Sequence, residues 1–219
     1  MDMVTGTAPV AESLAERSYR VLRDRLIMLD IAPGAPINEG LLSTELDMGR
    51  TPIREALKKL ETDRLVHSFP RRGTFATMVD IKDLAAISEI RHLLEPLAAE
   101  KAALNPNPAL RKQLADTAAA IEQLDEDQDR RALMEYDLEV HRLIYRAAEN
   151  QHLEETLVRL DNLATRIWCL VMDRLPSIAG HIQEHASLLR AIIAGDPVES
   201  RQLAEEHVRH FESTIRSIL

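Results

Sequence analysis

Gly49-Arg50-Thr51-Pro52-Ile53-Arg54-Glu55-Ala56-Leu57 is the stretch that decides the fold. Ile53, Leu57 and Leu60 recur at helical spacing, which predicts a helix beginning near Arg50 with one buried stripe. Pro52 falls in the first turn of that helix, where a missing N–H costs nothing. Just upstream, Glu39 to Leu46 reads as a short helix with Leu41, Leu42 and Leu46 inward, and Asp47-Met48-Gly49 makes a tight connection. Further upstream, Leu14, Val21, Leu22, Leu26 and Leu29 mark a helix from Ala11 to Leu29, broken by Pro33, Gly34 and Pro36. Residues 1–10 are a polar lead. Downstream, Leu65–Phe69 and Thr74–Val79 are two β-prone runs joined by Pro70-Arg71-Arg72-Gly73, a hairpin signal. Helix, short helix, helix, hairpin is the order of a winged helix-turn-helix.

Such a unit reads double-stranded DNA with the start of its second helix. Arg50, Thr51 and Arg54 occupy that end. Arginine can bridge guanine O6 and N7, and threonine can touch a phosphate or a thymine methyl. Arg71 and Arg72 at the hairpin tip suit a wing on phosphates or in the minor groove, and Gly73 lets the backbone come close. Spacing alone also fits a helix with solvated arginines and an ordinary hairpin.

After Val79 the pattern is wholly helical, with segments at Ile81–Leu104, Pro108–Asp127, Asp129–Glu149, His152–Arg174, Pro176–Ala194 and Pro197–Leu219. The breaks fall at Asn105-Pro106-Asn107, the acidic run 125–129, Asn150, Leu175-Pro176 and Gly195-Asp196-Pro197. The expected fold class is mainly α. Residues 11–79 form a winged helix-turn-helix DNA-binding domain, and 80–219 form an antiparallel six-helix bundle for metal or effector binding and dimerisation. The charge supports the division. The 219-residue chain has net charge −9, yet Ala11–Val79 carries 11 Lys/Arg against 10 Asp/Glu, so the acidity lies in the bundle. No stretch approaches the roughly 20 apolar residues of a membrane span, and no signal-peptide core is present. With one cysteine, Cys169, an internal disulfide is excluded. A cytoplasmic protein is expected.

Within the bundle, Asp137 and His141 stand at i and i+4 and so share one helix face. His185 and His207 sit mid-pattern in later helices, where imidazoles can converge on the same point. An Asp/His₃ set binds zinc, nickel or manganese and can leave a position open for a ligand. Two rival pairs exist in His181/His185 and His207/His210. The DNA-reading segment favours a sensor. The same set can also serve a metal-dependent hydrolase or lyase, or hold a structural metal. An enzyme needs a general acid or base beside the open position. Glu184 and Glu206 precede His185 and His207 by one residue and are poorly aimed for that work.

Taken in order, these motifs resemble a known family. Arg-Thr-Pro-Ile-Arg-Glu-Ala-Leu from Arg50, then Leu60, Leu65, Val66 and Arg71-Arg-Gly-Thr-Phe75, is similar to the winged helix-turn-helix of GntR-superfamily bacterial transcription regulators. Arg91, Leu94-Glu95-Pro96, Asp137-x-x-x-His141-Arg142, Asn150-x-x-Leu153, Glu184-His185, Ala191-Ile192, Gly195-Asp196 and His207 resemble FCD, the effector-binding domain of the FadR-like branch. The resemblance implies an operator-binding homodimer whose bundle takes a small carboxylate, often through a metal. It implies Asp137, His141, His185 and His207 as the ligands of a divalent metal, zinc first, with nickel or manganese as alternatives. Arg91 is the candidate to meet the effector carboxylate by bidentate pairing, the alternatives being a surface arginine or an internal salt bridge; Arg166 and Trp168 are weaker candidates to line the same cavity, and Trp168 fits the core better. Two departures stand out. The family's Gly-hydrophobic-Ser-Arg turn reads Asp47-Met48-Gly49-Arg50 here, and Gly40 stands where the preceding helix of well-studied members carries arginine.

Overall fold

Local capping sets the helix starts. In α1 (Leu14–Ile27) a capping box opens the first turn. Ser13 Oγ accepts from the Glu16 amide at 3.1 Å, while the Ser13 amide donates to Glu16 Oε2 at 2.9 Å. The computed structural model describes residues 12–125, 128–175 and 177–218, and the chain falls into two compact units, residues 1–78 and 79–219. The polar lead 1–10 and Pro176 lie outside the described residues.

In the first unit, Leu22, Leu26 and Ile27 of α1 pack against α3 (Arg50–Thr62), which buries Ile53, Ala56, Leu57 and Leu60. Between them lies α2 (Glu39–Glu45), capped by Asn38 Oδ1, which accepts from the amides of Gly40 and Leu41. Leu14 and Leu41, expected to face inward, are exposed; Leu42 alone anchors α2. The sheet has three antiparallel strands in the order β1-β3-β2, namely β1 (Pro36–Ile37), β2 (Val66–Phe69) and β3 (Gly73–Ala76). β1 was not expected, because a two-residue strand between prolines has no periodicity to read. Both hairpin strands are shorter than anticipated. Thr77 turns its hydroxyl to the carbonyls of Arg64 and Leu65 and closes the base of the hairpin.

Among the described residues the second unit is a bundle of six helices: α4 (Asp83–Leu104), α5 (Pro108–Ile121), α6 (Arg130–Ala147), α7 (Gln151–Val171, continued by a 3₁₀ turn at Met172–Arg174), α8 (Ala179–Ala194) and α9 (Pro197–Ser217). Asn107, Asp129, Asn150 and Asp196 cap α5, α6, α7 and α9 through their side-chain oxygens. α5 stops at Ile121, short of the expected Asp127, of which nothing is described. Gly195 ends α8 in the left-handed conformation at φ 77°. Arg111 joins two helix ends by donating to the carbonyls of Asn105 and Ile193 at 3.1 and 2.8 Å. α4 is central and touches α6, α7, α8 and α9. Around it the core is aliphatic, except where those five helices turn charged and imidazole side chains toward one another. Among the described residues no helix is long and apolar enough to cross a membrane.

Candidate metal centre and nucleic-acid interface

Asp137 and His141 come from α6, His185 from α8 and His207 from α9, all within 5% of full burial. One nitrogen from each of His141, His185 and His207 lies within 4.8 Å of the others. Asp137 stands beside this triad. Its Oδ2 is 3.9 Å from His141 Nε2, its Oδ1 is 3.8 Å from His185 Nδ1, and Oδ1 accepts no hydrogen bond.

The hydrogen-bond directions fix the tautomers. Tyr145 Oη donates to Glu95 Oε1 at 2.9 Å, so its hydroxyl oxygen accepts from His141 Nδ1 at 3.1 Å. His185 Nδ1 donates to the Ile182 carbonyl at 3.2 Å. In each ring the proton therefore sits on Nδ1 and the lone pair on Nε2. These two Nε2 atoms face each other at 3.2 Å. Two lone pairs at that distance repel, and neither atom can donate to the other. Both ring nitrogens of His207 are buried without a hydrogen-bond partner. Tetrahedral zinc, with bonds of about 2.0–2.2 Å, sets its donors roughly 3.4 Å apart, close to the 3.2 Å found here. The donor set fits a borderline divalent cation held by His141, His185, His207 and Asp137.

The electrostatics agree. Burial, then the neighbouring imidazoles His185 and His207, pushes His141 well below the ordinary histidine range. Burial likewise pushes His207 down to about 3. The rings are neutral ligands at neutral pH. Burial, with Asp161 adding to it, raises the Asp137 carboxyl well above the usual range, a shift that a bound cation reverses.

Arg91 is 1% exposed on α4 and lies over the Phe211 ring at 4.9 Å. Its Nε pairs with Glu95 Oε1 at 2.5 Å and its Nη2 with Asp161 Oδ1 at 3.5 Å. Burial opposes its charge, but Glu95, Tyr145 and Asp161 hold the guanidinium above its normal pKa. Asp161 is itself driven up to about 7 by burial, against the pull of Arg91. The guanidinium fork expected to meet a ligand thus already holds two carboxylates of this chain. From the sequence alone Tyr145 and Asp161 have no assigned site role and Glu95 appears only within a family motif, although Glu95 at i+4 from Arg91 and Tyr145 at i+4 from His141 are legible helix-face pairs.

Trp168, fully buried on α7, stacks on Phe211 at 4.8 Å and lies tilted against His181 at 4.3 Å, and so walls the histidine cluster. Arg166 is buried two positions earlier and points to another side of the helix; burial pushes it down to about 10.

In the first unit, Arg50, Thr51 and Arg54 are exposed on the face of α3 opposite its buried stripe. Gly49 caps α3 without a side-chain bond, so the first-turn amides keep no side-chain acceptor there. Arg54 Nε meets Glu39 Oε2 at 2.6 Å. The Arg50 guanidinium comes within 3.7 Å of where a Cβ on Gly40 would stand, so a guanidinium lies over α2 even though glycine replaces the arginine there. At the wing tip Arg71 takes φ 62° and Gly73 φ 96°; Arg71 and Arg72 are exposed.

A winged helix-turn-helix followed by an all-helical domain with a buried polar centre defines a bacterial-type transcription regulator. The comparisons agree. The FCD domain model matches residues 86–210, and the model of bacterial regulatory proteins of the gntR family matches residues 14–76. The chain belongs to the GntR family of regulators, in its FCD-bearing branch. It is 26% identical to the HTH-type transcriptional repressor RspR of Escherichia coli K12, over 97% of this chain and 91% of that one. It is 29% identical to a probable D-xylose utilization operon transcriptional repressor of Paenarthrobacter nicotinovorans, over 86% and 83%. Its fold is shared with E. coli McbR/YncC (TM-score 0.80, 22% identity, 94% and 98% covered). It is also shared with a GntR regulator of Rhodococcus sp. RHA1 (TM-score 0.70, 22% identity, 94% and 98% covered). Family membership decides between regulator and metal-dependent hydrolase or lyase, in favour of the regulator.

Proposed function

We propose that this chain is a ligand-responsive regulator that binds operator DNA as a homodimer and senses a small carboxylate at a metal centre in its helical unit. The observation that carries the reading is the pair of facing Nε2 lone pairs on His141 and His185. Asp137, His141, His185 and His207 would hold a divalent ion, zinc first among the candidates. When bound, the ion supplies positive charge at a coordination position open to an anion.

The surrounding residues bear on what arrives there. Glu95, Asp137 and Asp161 are buried carboxyls near Arg91, so without a cation the centre is poor in positive charge and a second anion is unwelcome. Of the two carboxylates on Arg91, Asp161 is the looser, at 3.5 Å against 2.5 Å for Glu95. Burial raises it toward its neutral form. An effector carboxylate reaches Arg91 by taking the place of Asp161. A ligand shifts an equilibrium only through such differential contacts.

Operator contacts fall to Arg50, Thr51 and Arg54 for bases, and to Arg71, Arg72 and Gly73 for backbone or minor groove. For the dimer, α4 offers an exposed apolar row, Ile90, Leu93, Leu97 and Leu104, on the side away from Arg91. The test is His141→Ala. It should lose stoichiometric metal and the response to added carboxylates while still binding DNA. Full metal occupancy in a folded variant would refute the ligand set.

A further inference from the structure

The imidazoles continue past the inner centre toward the surface. His181 and Glu184 stand at i and i+3 on α8, and His207 and His210 at i and i+3 on α9, so the two pairs face each other across one helix contact. A single oxygen, Glu184 Oε2, lies 3.4 Å from His207 Nδ1 and 3.9 Å from His181 Nδ1. The other oxygen, Oε1, is hydrogen-bonded to His210 Nδ1. One donor atom from each of His181, Glu184 and His207 falls within 4.8 Å of the others. The His181 and His207 rings stack at 4.5 Å, which brings their Nδ1 edges to the same carboxylate.

Exposure grades along the row. The His210 side chain is 57% exposed and Glu184 32%, whereas His181 and His207 are at 5% and 4%, and His185 is at 0%. A surface contact between Glu184 and His210 accounts for the outermost pairing and contributes little. It does not account for two buried imidazoles aimed at the same oxygen, one of them His207 with both nitrogens lacking a hydrogen-bond partner.

We propose that His181, Glu184 and His207 form a second, outer site for a borderline divalent cation such as zinc, cobalt or nickel, sharing His207 with the inner centre, with His210 holding Glu184 from the solvent side. Two imidazoles and a carboxylate are a common donor set for such ions, and the outer position leaves room for water. A neutral imidazole carries one lone pair, so His207 serves one ion at a time. With the inner centre filled, His207 is engaged there, so the two sites exclude each other and the unmodified chain holds one ion. With the inner centre dismantled, the outer site gains His207.

The proposal stands apart from the inner reading, and cobalt titration of the metal-stripped full chain, read by native mass spectrometry, separates them. The Asp137→Ala/His141→Ala chain should keep one cobalt equivalent, and adding His181→Ala and Glu184→Gln should abolish it. Loss of all stoichiometric cobalt from the first variant, while the unmodified chain still binds, overturns the outer site and leaves the inner one standing. Cobalt that survives all four changes also overturns it. If the unmodified chain and the Asp137→Ala/His141→Ala variant each bind one equivalent, removed by the His181 and Glu184 changes, the outer site stands and the inner reading fails. Should the inner variant not fold, as judged by circular dichroism, the gentler Asp137→Asn/His141→Gln chain replaces it. That chain should keep one cobalt equivalent, which adding Glu184→Gln removes; an equivalent that survives Glu184→Gln overturns the proposal.

Discussion

Replacing Tyr145 with phenylalanine tests the tautomer argument without touching a metal ligand. The hydroxyl accepts from His141 Nδ1 at 3.1 Å and donates to Glu95 Oε1 at 2.9 Å, bridging the two. Glu95 Oε2 is 3.9 Å from His141 Nδ1, too far to take over the bond. In Tyr145→Phe the imidazole loses the partner that keeps its proton on Nδ1, and Nε2 is no longer held as a lone-pair donor. A buried donor left without a partner costs about 1–3 kcal/mol. Removal of such an outer partner weakens metal binding by about 10–100-fold, or about 1.4–2.7 kcal/mol, in the same range. Zinc affinity, measured by competition with a chromophoric chelator near neutral pH, should therefore fall by one to two orders of magnitude, with stoichiometry unchanged. Tyr136→Phe is the matched control, because its hydroxyl donates to the Thr117 carbonyl at 3.2 Å, away from the metal centre. If Tyr145→Phe binds zinc within about threefold of the parent chain, the hydrogen-bond directions assigned to His141 are wrong.

Further outcomes follow from other parts of the chain. Arg50→Ala and Arg54→Ala should each cost about 1–3 kcal/mol on a specific operator in gel-shift titration, whereas Arg71→Ala should weaken specific and non-specific duplexes alike. Unchanged affinity in both helix variants would remove α3 as the reading element. Glu39→Gln frees Arg54 from its carboxylate partner and should strengthen DNA binding by up to about fivefold, since exposed ion pairs are worth about 0–1 kcal/mol; weaker binding would count against Arg54 as a DNA contact. Leu93→Glu should shift the sedimenting species toward monomer at micromolar concentration, and an intact dimer would move the interface off the exposed row of α4. The metal-stripped protein should lose stability between pH 6.5 and 5 in denaturant titrations. Because His207 has a folded pKa of about 3 against 6.5 unfolded, the unfolded chain binds the proton and about 2 kcal/mol is lost at pH 5. Asp161, raised to about 7, moves the opposite way, being most favourable at low pH. Asp137 and Glu184, also raised by burial, move with Asp161, but the downward shifts of His141, His181 and His185 join that of His207, and four rings outnumber three carboxyls. Stability that rises on acidification would contradict the burial of these rings.

The sequence makes some of these features legible and hides others for physical reasons. The recognition helix could be read because Ile53, Leu57 and Leu60 repeat at the helical period and Pro52 marks the first turn. The helix boundaries could be read because Asn107, Asn150 and Asp196 are capping residues at breaks in that period. Leu41 broke the rule. In a seven-residue helix the stripe is barely longer than one turn, and a leucine can sit outside it. Asp137 and His141 declare a shared face by spacing, whereas the meeting of His185 and His207 with them depends on how three helices cross, which no local pattern records. Arg91 shows the limit most plainly. Its value as an anion anchor was inferred from residue type, while its engagement by Asp161 arises only when α4 packs against α7.

Trp168 gives the molecule a built-in optical gauge. It is the chain's one tryptophan, so all indole emission originates at a single buried ring. That ring lies against His181, with centroids 4.3 Å apart. Any event that changes the electronic state of that imidazole, whether cation capture or protonation, acts on the excited indole at contact range. The outer histidines can thus be followed in the unlabelled wild-type protein by intensity and lifetime, with Trp168's own packing as an internal reference for whether the helices still meet.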